Sequence, residues 1–379
     1  PTWANGRASV EDTRTTGRSN MELHTVAVHG SPRVILLDDR MAPVRPVFRY
    51  LEFLRLKNRA PSTLASYAQD LKTYWVFLSQ KGYAYDEATP ATINEYKAYL
   101  QSNDPDALVL YLESVRCGST INRMLSTLKG FYGWCELLGA VELNPVLSQA
   151  VAMPPGMHKG MLHHARRDSR TVQGVFKVKE SPRRVRIVTD EEMSAILDAA
   201  NSERDKLLLS LLYMTGARIQ EALDLQIGSI PIPDQFAPVS VVENIKSKGK
   251  RRDLYVPLRC LELIDAYIIG GRADIATDHD FLFVADHGPW RGRKLTYNAA
   301  YDSLTRIREK TGISFGFHDL RHTFNTNLAE AGVDVAVRQL LLGHAHASTT
   351  DRYTHLSSKR ACEALESYWE RSVMSCPQS

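Results

Sequence analysis

"HDLRHTFNTNLAEAGVDVAVRQLLLGHAHASTTDRYTH", residues 318–355, gathers five histidines and three arginines around a single tyrosine, Tyr353, in a chain whose formal net charge is only +4. Four carboxylates accompany them, Asp319, Glu330, Asp334 and Asp351. Arginine is chosen where a planar, permanently charged fork must make two parallel hydrogen bonds to phosphate oxygens, and histidine adds a donor or a proton acceptor near neutral pH. The cluster suits an anion. A tyrosine phenol, with an ordinary pKa of about 10, is a poor nucleophile unless nearby cations favour the phenolate and a base takes its proton. A cationic pocket does both.

His318 and His322 also stand at i, i+4, the spacing with which a helix presents two zinc ligands. Charge argues against that use. Arg321 lies on the same helix face and would repel a metal ion, and Asp319 stands where the HExxH pattern needs a Glu base. No metal is expected. No GxxxxGK[ST] run occurs either, so no nucleotide cofactor is implied.

The 379 residues, 44% of them hydrophobic, are enough for two or three domains with cores of their own. No stretch approaches the ~18 apolar residues of a membrane span, and the N-terminus lacks the order of a signal peptide. A cytoplasmic protein without a membrane partner is expected. Cys117, Cys135, Cys260, Cys362 and Cys376 are odd in number and scattered without a CxxC pair, which suggests neither disulfides nor a thiolate metal site.

Residues 1–42, rich in Ser, Thr, Arg, Asn and Gly, read as a loosely ordered arm, with Met21 a candidate natural start. Residues 43–148 turn helical. "PVFRYLEFLRLKN" places Val47, Tyr50, Leu51 and Leu54 near the i, i+3, i+4, i+7 rule, and "APSTLASYAQDLKTYWVFLSQKG" opens at Pro61 and stops at Gly82. "TPATINEYKAYLQ" and "GSTINRMLSTLKGFYGWCELLG" behave likewise. A linker, 149–185, follows; the run 158–186 holds nine Lys or Arg against Asp168 and Glu180, as a solvated connector or one crossing a phosphate backbone would. The second domain, 186–356, begins where Thr189 or Asp190 caps a helix, and "RDKLLLSLLYMTGARIQEALDL" ends one helix at Gly216 and starts another near Arg218. In "VSVVENIKSKGKRRDLYVPL" the period falls to two, with Leu254, Val256 and Leu258 on one face and a Ser-Lys-Gly-Lys turn: a β-hairpin with lysines at its tip. From Leu295 the pattern is helical again, broken at Gly312, Gly332 and Gly343. The tail, 357–379, places Ala361, Leu365 and Tyr368 or Trp369 along one helix face.

At these residues the chain resembles the tyrosine recombinases, the phage integrases with their Xer and Cre relatives. "TGARIQEALDL", "HDLRHT", "LLGH" and "STTDRYTH" carry the resemblance, with 23 residues from Arg321 to His344 and nine from His344 to Tyr353. It implies a mainly α fold with a small antiparallel β-hairpin (α+β): a helical core-binding, SAM-like domain and a mixed catalytic domain, 186–356, forming a clamp around DNA. It further implies that Arg218 and Arg321 grip the scissile phosphate, that His318 is the base toward Tyr353, and that His344 is a further donor. Lys248 would protonate the departing 5′ hydroxyl, Glu221 would orient the site, and Tyr353 would form a 3′-phosphotyrosine. Two positions stay open on the residues alone: His346 lies two residues from His344, and the hairpin tip offers Lys246 and Lys250 beside Lys248. His322 reads as structural.

The function implied is site-specific recombination, in integration, excision or transposition of a mobile element, without a cofactor. Partners implied are double-stranded DNA at simple core sites, a homotetramer on two DNA sites with the terminal helix docked on a neighbouring protomer, and accessory DNA-bending proteins. Two rival classes share features with it: a type IB topoisomerase, which nicks and reseals, and a non-catalytic DNA-binding protein, which gives no covalent adduct.

Overall fold

Pro46 and Pro61 sit in the first turns of two helices, where a missing N–H removes no intrahelical bond. In a computed structural model the described residues are 21–28, 31–101, 116–152, 170–180, 185–247, 250–343 and 358–374. Among them the fold is mainly α, with three two-stranded antiparallel sheets. None of their helices is long and apolar enough to cross a membrane. The chain divides into two units, residues 1–182 and 183–379.

The first unit comprises β1 (Glu22–Val28), β2 (Ser31–Leu37), α1 (Arg45–Leu56), α2 (Pro61–Lys81), α3 (Pro90–Gln101), α4 (Gly118–Leu137), β3 (Ser148–Ala152) and β4 (Arg170–Gly174). Its core is aromatic. Tyr74, Tyr96, Tyr132, Phe77 and Phe131 are fully buried, and Tyr74 meets Tyr96 edge-to-face at 4.9 Å, a favoured geometry for the ring quadrupoles. Buried phenols need partners. The Tyr74 hydroxyl lies 2.7 Å from that of Tyr132, which donates to the Tyr85 carbonyl at 2.9 Å.

Two segments differ from the sequence reading. Residues 22–28 and 31–37, expected within a loose arm, pair as the antiparallel strands β1 and β2, and Leu36 is fully buried against the helices. Val34 and Leu36 supply the inward alternation, over a strand too short to stand out in a polar segment. Within the expected linker, β3 pairs with β4, and the chain then returns to the helical core through Phe176, which is buried. Asn122 clamps Val178, accepting its N–H at 2.8 Å and donating to its carbonyl at 2.9 Å. Apolar Phe176 and Val178 alternate with Lys177 and Lys179, and the charge run hid that period.

The second unit comprises α5 (Asp190–Ala199), α6 (Glu203–Thr215), α7 (Ile219–Leu223), β5 (Val239–Ser247), β6 (Lys250–Pro257), α8 (Leu258–Tyr267), α9 (Tyr297–Thr311), α10 (Phe317–Glu330), α11 (Val335–Leu342) and α12 (Ser358–Met374). Thr189, not Asp190, caps α5: its hydroxyl accepts the Glu192 N–H at 3.2 Å and the Glu192 carboxylate accepts the Thr189 N–H at 3.1 Å. Helix α6 is apolar nearly all round, so it runs through the core and packs on α8, α10 and β6. A bulge in β5 between Val242 and Ile245, with Asn244 at φ 58°, sets the hairpin register. Leu254 and Val256 of β6 face the main core as expected, while Leu258 opens α8; Tyr255 points to the opposite face.

That opposite face is covered by α12. Ala361 and Leu365 are fully buried and Tyr368 nearly so, against α11 and the hairpin of the same chain. The amphipathic face is the one the sequence marks. Within the single chain its partner is its own unit.

Replacing Tyr132 with Phe removes the hydroxyl that links Tyr74 to the Tyr85 carbonyl and strands both groups in the core. Chemical denaturation of the full chain should show the first unit destabilised by about 1–3 kcal/mol, the usual cost of unpaired buried polar groups.

Candidate active site

The site starts at the turn between α6 and α7. Thr215 closes α6, its hydroxyl donating to the Leu211 carbonyl at 2.6 Å, and Gly216 takes a left-handed φ of 60°. A methyl at Gly216 would lie 2.4 Å from Phe324 Cδ1 and 3.0 Å from Leu342 Cδ2, so the turn runs hard against α10 and the end of α11. Only glycine satisfies both demands. The next element begins at Arg218, whose backbone N–H donates to Glu221 Oε2 at 2.8 Å while its Nη1 donates to Glu221 Oε1 at 2.8 Å. A carboxylate in the first turn of a helix is also favoured by the helix dipole.

Helix α10 brings the second set. The Asp319 carboxylate accepts the Gly316 N–H at 2.8 Å and fixes where the helix starts. Buried Thr323 accepts the Val188 N–H at 2.9 Å and anchors the helix to the strand-like entry of the unit. Arg321, one turn after His318, is 3% exposed and directs its guanidinium at two helix ends: Nη1 donates to the Gly216 carbonyl at 2.6 Å and Nη2 to that of Leu342. Those carbonyls have no intrahelical partner, so the arginine serves as a cap for both. Burial, then Arg218 and Arg252, push the Arg321 pKa down to about 9, which leaves it charged at neutral pH.

Arg252, on β6, was not singled out from sequence. It joins Glu221 through two parallel bonds, Nη2 to Oε2 at 2.6 Å and Nε to Oε1 at 3.2 Å. Glu221 is 2% exposed and is thus a buried carboxylate between two arginines. Three guanidiniums against one carboxylate leave an excess positive charge, and Arg218, its side chain 23% exposed, is the member that solvent reaches most. The missed signal is one of period: Arg252 shares its strand face with Leu254 and Val256, and an arginine pointing inward must find a partner there. In the sequence it is submerged in the run Lys250, Arg251, Arg252.

His318 lies exposed beside this cluster and meets His322 edge-to-face with ring centroids 4.5 Å apart. Its pKa is lowered by partial burial first, then by His322 and Arg321, against a smaller opposing pull from Asp319. The ring is therefore neutral at neutral pH and able to accept a proton.

Of the residues expected from sequence, Arg218, Glu221 and Arg321 come together, with His318 alongside. Lys248, His344 and Tyr353 lie outside the described residues. The hairpin is described up to the pair Ser247 and Lys250, with Lys246 opposite Arg251, and α11 up to Gly343.

The model of the phage integrase family matches residues 186–360, and that of the phage integrase N-terminal SAM-like domain matches residues 47–137. Transposase A from transposon Tn554 of Staphylococcus aureus is 31% identical over 350 residues, which cover 90% of this chain and 95% of that protein. Tyrosine recombinase XerD of Mycobacterium tuberculosis (strain CDC 1551 / Oshkosh) is 30% identical over 338 residues, 84% of this chain and 94% of that one. Among solved structures, a lambda integrase tetramer bound to a Holliday junction is similar in fold, with TM-score 0.52 and 18% identity over 80% of this chain and 77% of that one.

Gly216→Ala should cost about 2–4 kcal/mol of stability, since it combines a left-handed alanine with overpacking against Phe324. Thermal unfolding of the second unit, compared with Gly312→Ala in the same unit, where φ is 69° and nothing lies within 4 Å, separates the contact from the backbone effect.

Proposed function

The chain belongs to the phage integrase family, the tyrosine recombinases, and from that membership we propose that it is a site-specific DNA recombinase that cuts and rejoins strands through a 3′-phosphotyrosyl intermediate. The observation that carries the reading is the pairing of Arg218 with the buried Glu221 carboxylate at the turn whose Gly216 carbonyl Arg321 caps, with the His318 imidazole alongside.

In this reading Arg218 and Arg321 take the non-bridging oxygens of the scissile phosphate and stabilise the charge of the pentavalent transition state. Such preorganised donors are typically worth about 3–4 kcal/mol each. Two of the five N–H donors of Arg321 go to backbone carbonyls, which fixes the fork while others are offered to phosphate. His318 accepts the phenol proton of Tyr353, the phenolate attacks phosphorus, and the bond to the 5′ oxygen breaks. Lys248 protonates that leaving oxygen, His344 adds a donor, and Glu221 holds Arg218 in place. The 5′ hydroxyl of another strand then reverses the chemistry. One phosphodiester is exchanged for one phosphotyrosine at each step, so no external energy source is required.

Partners follow from the same reading: double-stranded DNA at specific core sites, a homotetramer on two sites and accessory DNA-bending proteins, with the protein acting in the cytoplasm. The tetramer is supported by its occurrence in the lambda integrase complex and by nothing internal to α12, which is occupied by its own unit. DNA binding that relies on these cations should weaken steeply with salt.

The test is a nicked suicide duplex carrying the native flanking DNA. The wild type should leave a denaturant-resistant protein–DNA adduct and join strands from two duplexes; Tyr353→Phe should leave none. An adduct with the Phe variant, or resealing that never joins two duplexes, sinks the proposal. A second measurement concerns pH. Because the His318 pKa lies below the usual 6.5, protonation, and with it loss of the base, is deferred to more acidic solution. The acid limb of the adduct rate should have its midpoint below 6.5, and His318→Gln should remove that limb.

A further inference from the structure

We propose that Arg252 is a positioning residue for strand cleavage: it neutralises Glu221 from behind, so that the charge of Arg218 remains available to the phosphate. The inference rests on the reading above, in which Arg218 meets the scissile phosphate.

The geometry of Glu221 supplies the argument. Each of its carboxylate oxygens accepts from both arginines: Oε1 from Arg218 Nη1 at 2.8 Å and Arg252 Nε at 3.2 Å, Oε2 from the Arg218 backbone N–H at 2.8 Å and Arg252 Nη2 at 2.6 Å. A carboxylate that is 2% exposed requires compensation inside the protein. With Arg252 present, the triad carries a net charge of one, located on the arginine that solvent reaches. Without it, the Glu221 charge falls more heavily on Arg218, and the Arg218–Glu221 pair by itself presents no net charge to an incoming anion.

A second set of contacts extends the role. Arg252 Nη1 donates to the Leu341 carbonyl at 2.9 Å and to the Asp253 carbonyl at 3.1 Å. A methyl added to Gly343 would lie 2.2 Å from Arg252 Cδ, so the chain at the end of α11 passes directly over the arginine stem. One guanidinium thereby ties the hairpin strand to Glu221 of α7 and to Leu341 in the last turn of α11. Lysine cannot reproduce this, since an ammonium lacks the planar fork that serves both carboxylate oxygens and a carbonyl together.

Three variants decide it, measured as single-turnover adduct formation on the nicked suicide duplex. Arg252→Gln should slow the rate at saturating DNA by about 100-fold, with the half-saturating DNA concentration within about 3-fold of wild type. Arg252→Lys, which keeps the charge and loses the fork, should fall between the two. The decisive variant is Glu221→Gln combined with Arg252→Gln: with the carboxylate charge gone, Arg218 is released, and the double variant should be faster than Arg252→Gln alone. A merely structural arginine would give such relief only in step with recovered thermal stability, so unfolding temperatures of both variants are read beside the rates, and relief that merely follows stability overturns the inference. The inference is overturned if Arg252→Gln cleaves within about 3-fold of wild type at saturating DNA, if the defect lies only in DNA affinity, or if the double variant is no faster than Arg252→Gln. Wild-type protein that forms no adduct would instead overturn the functional reading, so the two failures are told apart.

Discussion

The carboxylate of Glu221, buried between two guanidiniums, is the constraint on which the second unit is arranged. An isolated buried charge costs several kcal/mol, and a single partner seldom offsets that cost unless the remaining lone pairs are also filled. Glu221 has them filled by four donors drawn from α7 and β6, two elements 31 residues apart in the chain. The hairpin and the turn after α6 must therefore fold against each other for either to be satisfied. Stability and site geometry are set by the same bonds.

Helix ends complete the arrangement. Helix α6 and helix α11 both terminate in a left-handed glycine, Gly216 and Gly343, and both leave carbonyls without intrahelical partners. Arg321 takes those of Gly216 and Leu342, and Arg252 takes that of Leu341. Two cations at the negative end of α11 are favoured by the helix dipole as well as by hydrogen bonding. The glycines have a reason beyond their φ values: a methyl at either one would collide with Phe324 or Arg252. Close approach of backbone to side chain is what brings residues from α7, β6, α10 and α11 within one site.

What the sequence revealed and what it concealed divide along a physical line. Helices with prolines at their starts, glycines at their ends and three or four apolar residues per two turns were legible, as were Arg218, Glu221, His318 and Arg321, because motif and spacing name them. The β1–β2 pair and the β3–β4 ribbon were not, since short strands leave few alternations to count, and the lysines around Phe176 and Val178 masked the ones present. Arg252 escaped for a related reason. Its identity suggested solvent, and only the parity of the strand, Arg252 with Leu254 and Val256, points it inward. The face of α12 was legible, but not its partner: amphipathicity says that a face is buried and is silent on whether the surface covering it belongs to the same chain.

The charge inventory of the site bears on the kind of chemistry it can support. A site that cleaves phosphodiesters with divalent cations gathers carboxylates to hold them, and its own charge is negative until the ions bind. Here, among the described residues, the guanidiniums of Arg218, Arg252 and Arg321 gather about the Glu221 carboxylate, and that carboxylate is bonded by two of them. The field of such cations draws phosphate and repels metal, and it also favours a phenolate over a phenol. Fixed cations of this kind, which would bind the backbone of DNA, would also lower the cost of a phenolate, so a tyrosine, ordinarily a weak nucleophile, suits such a field.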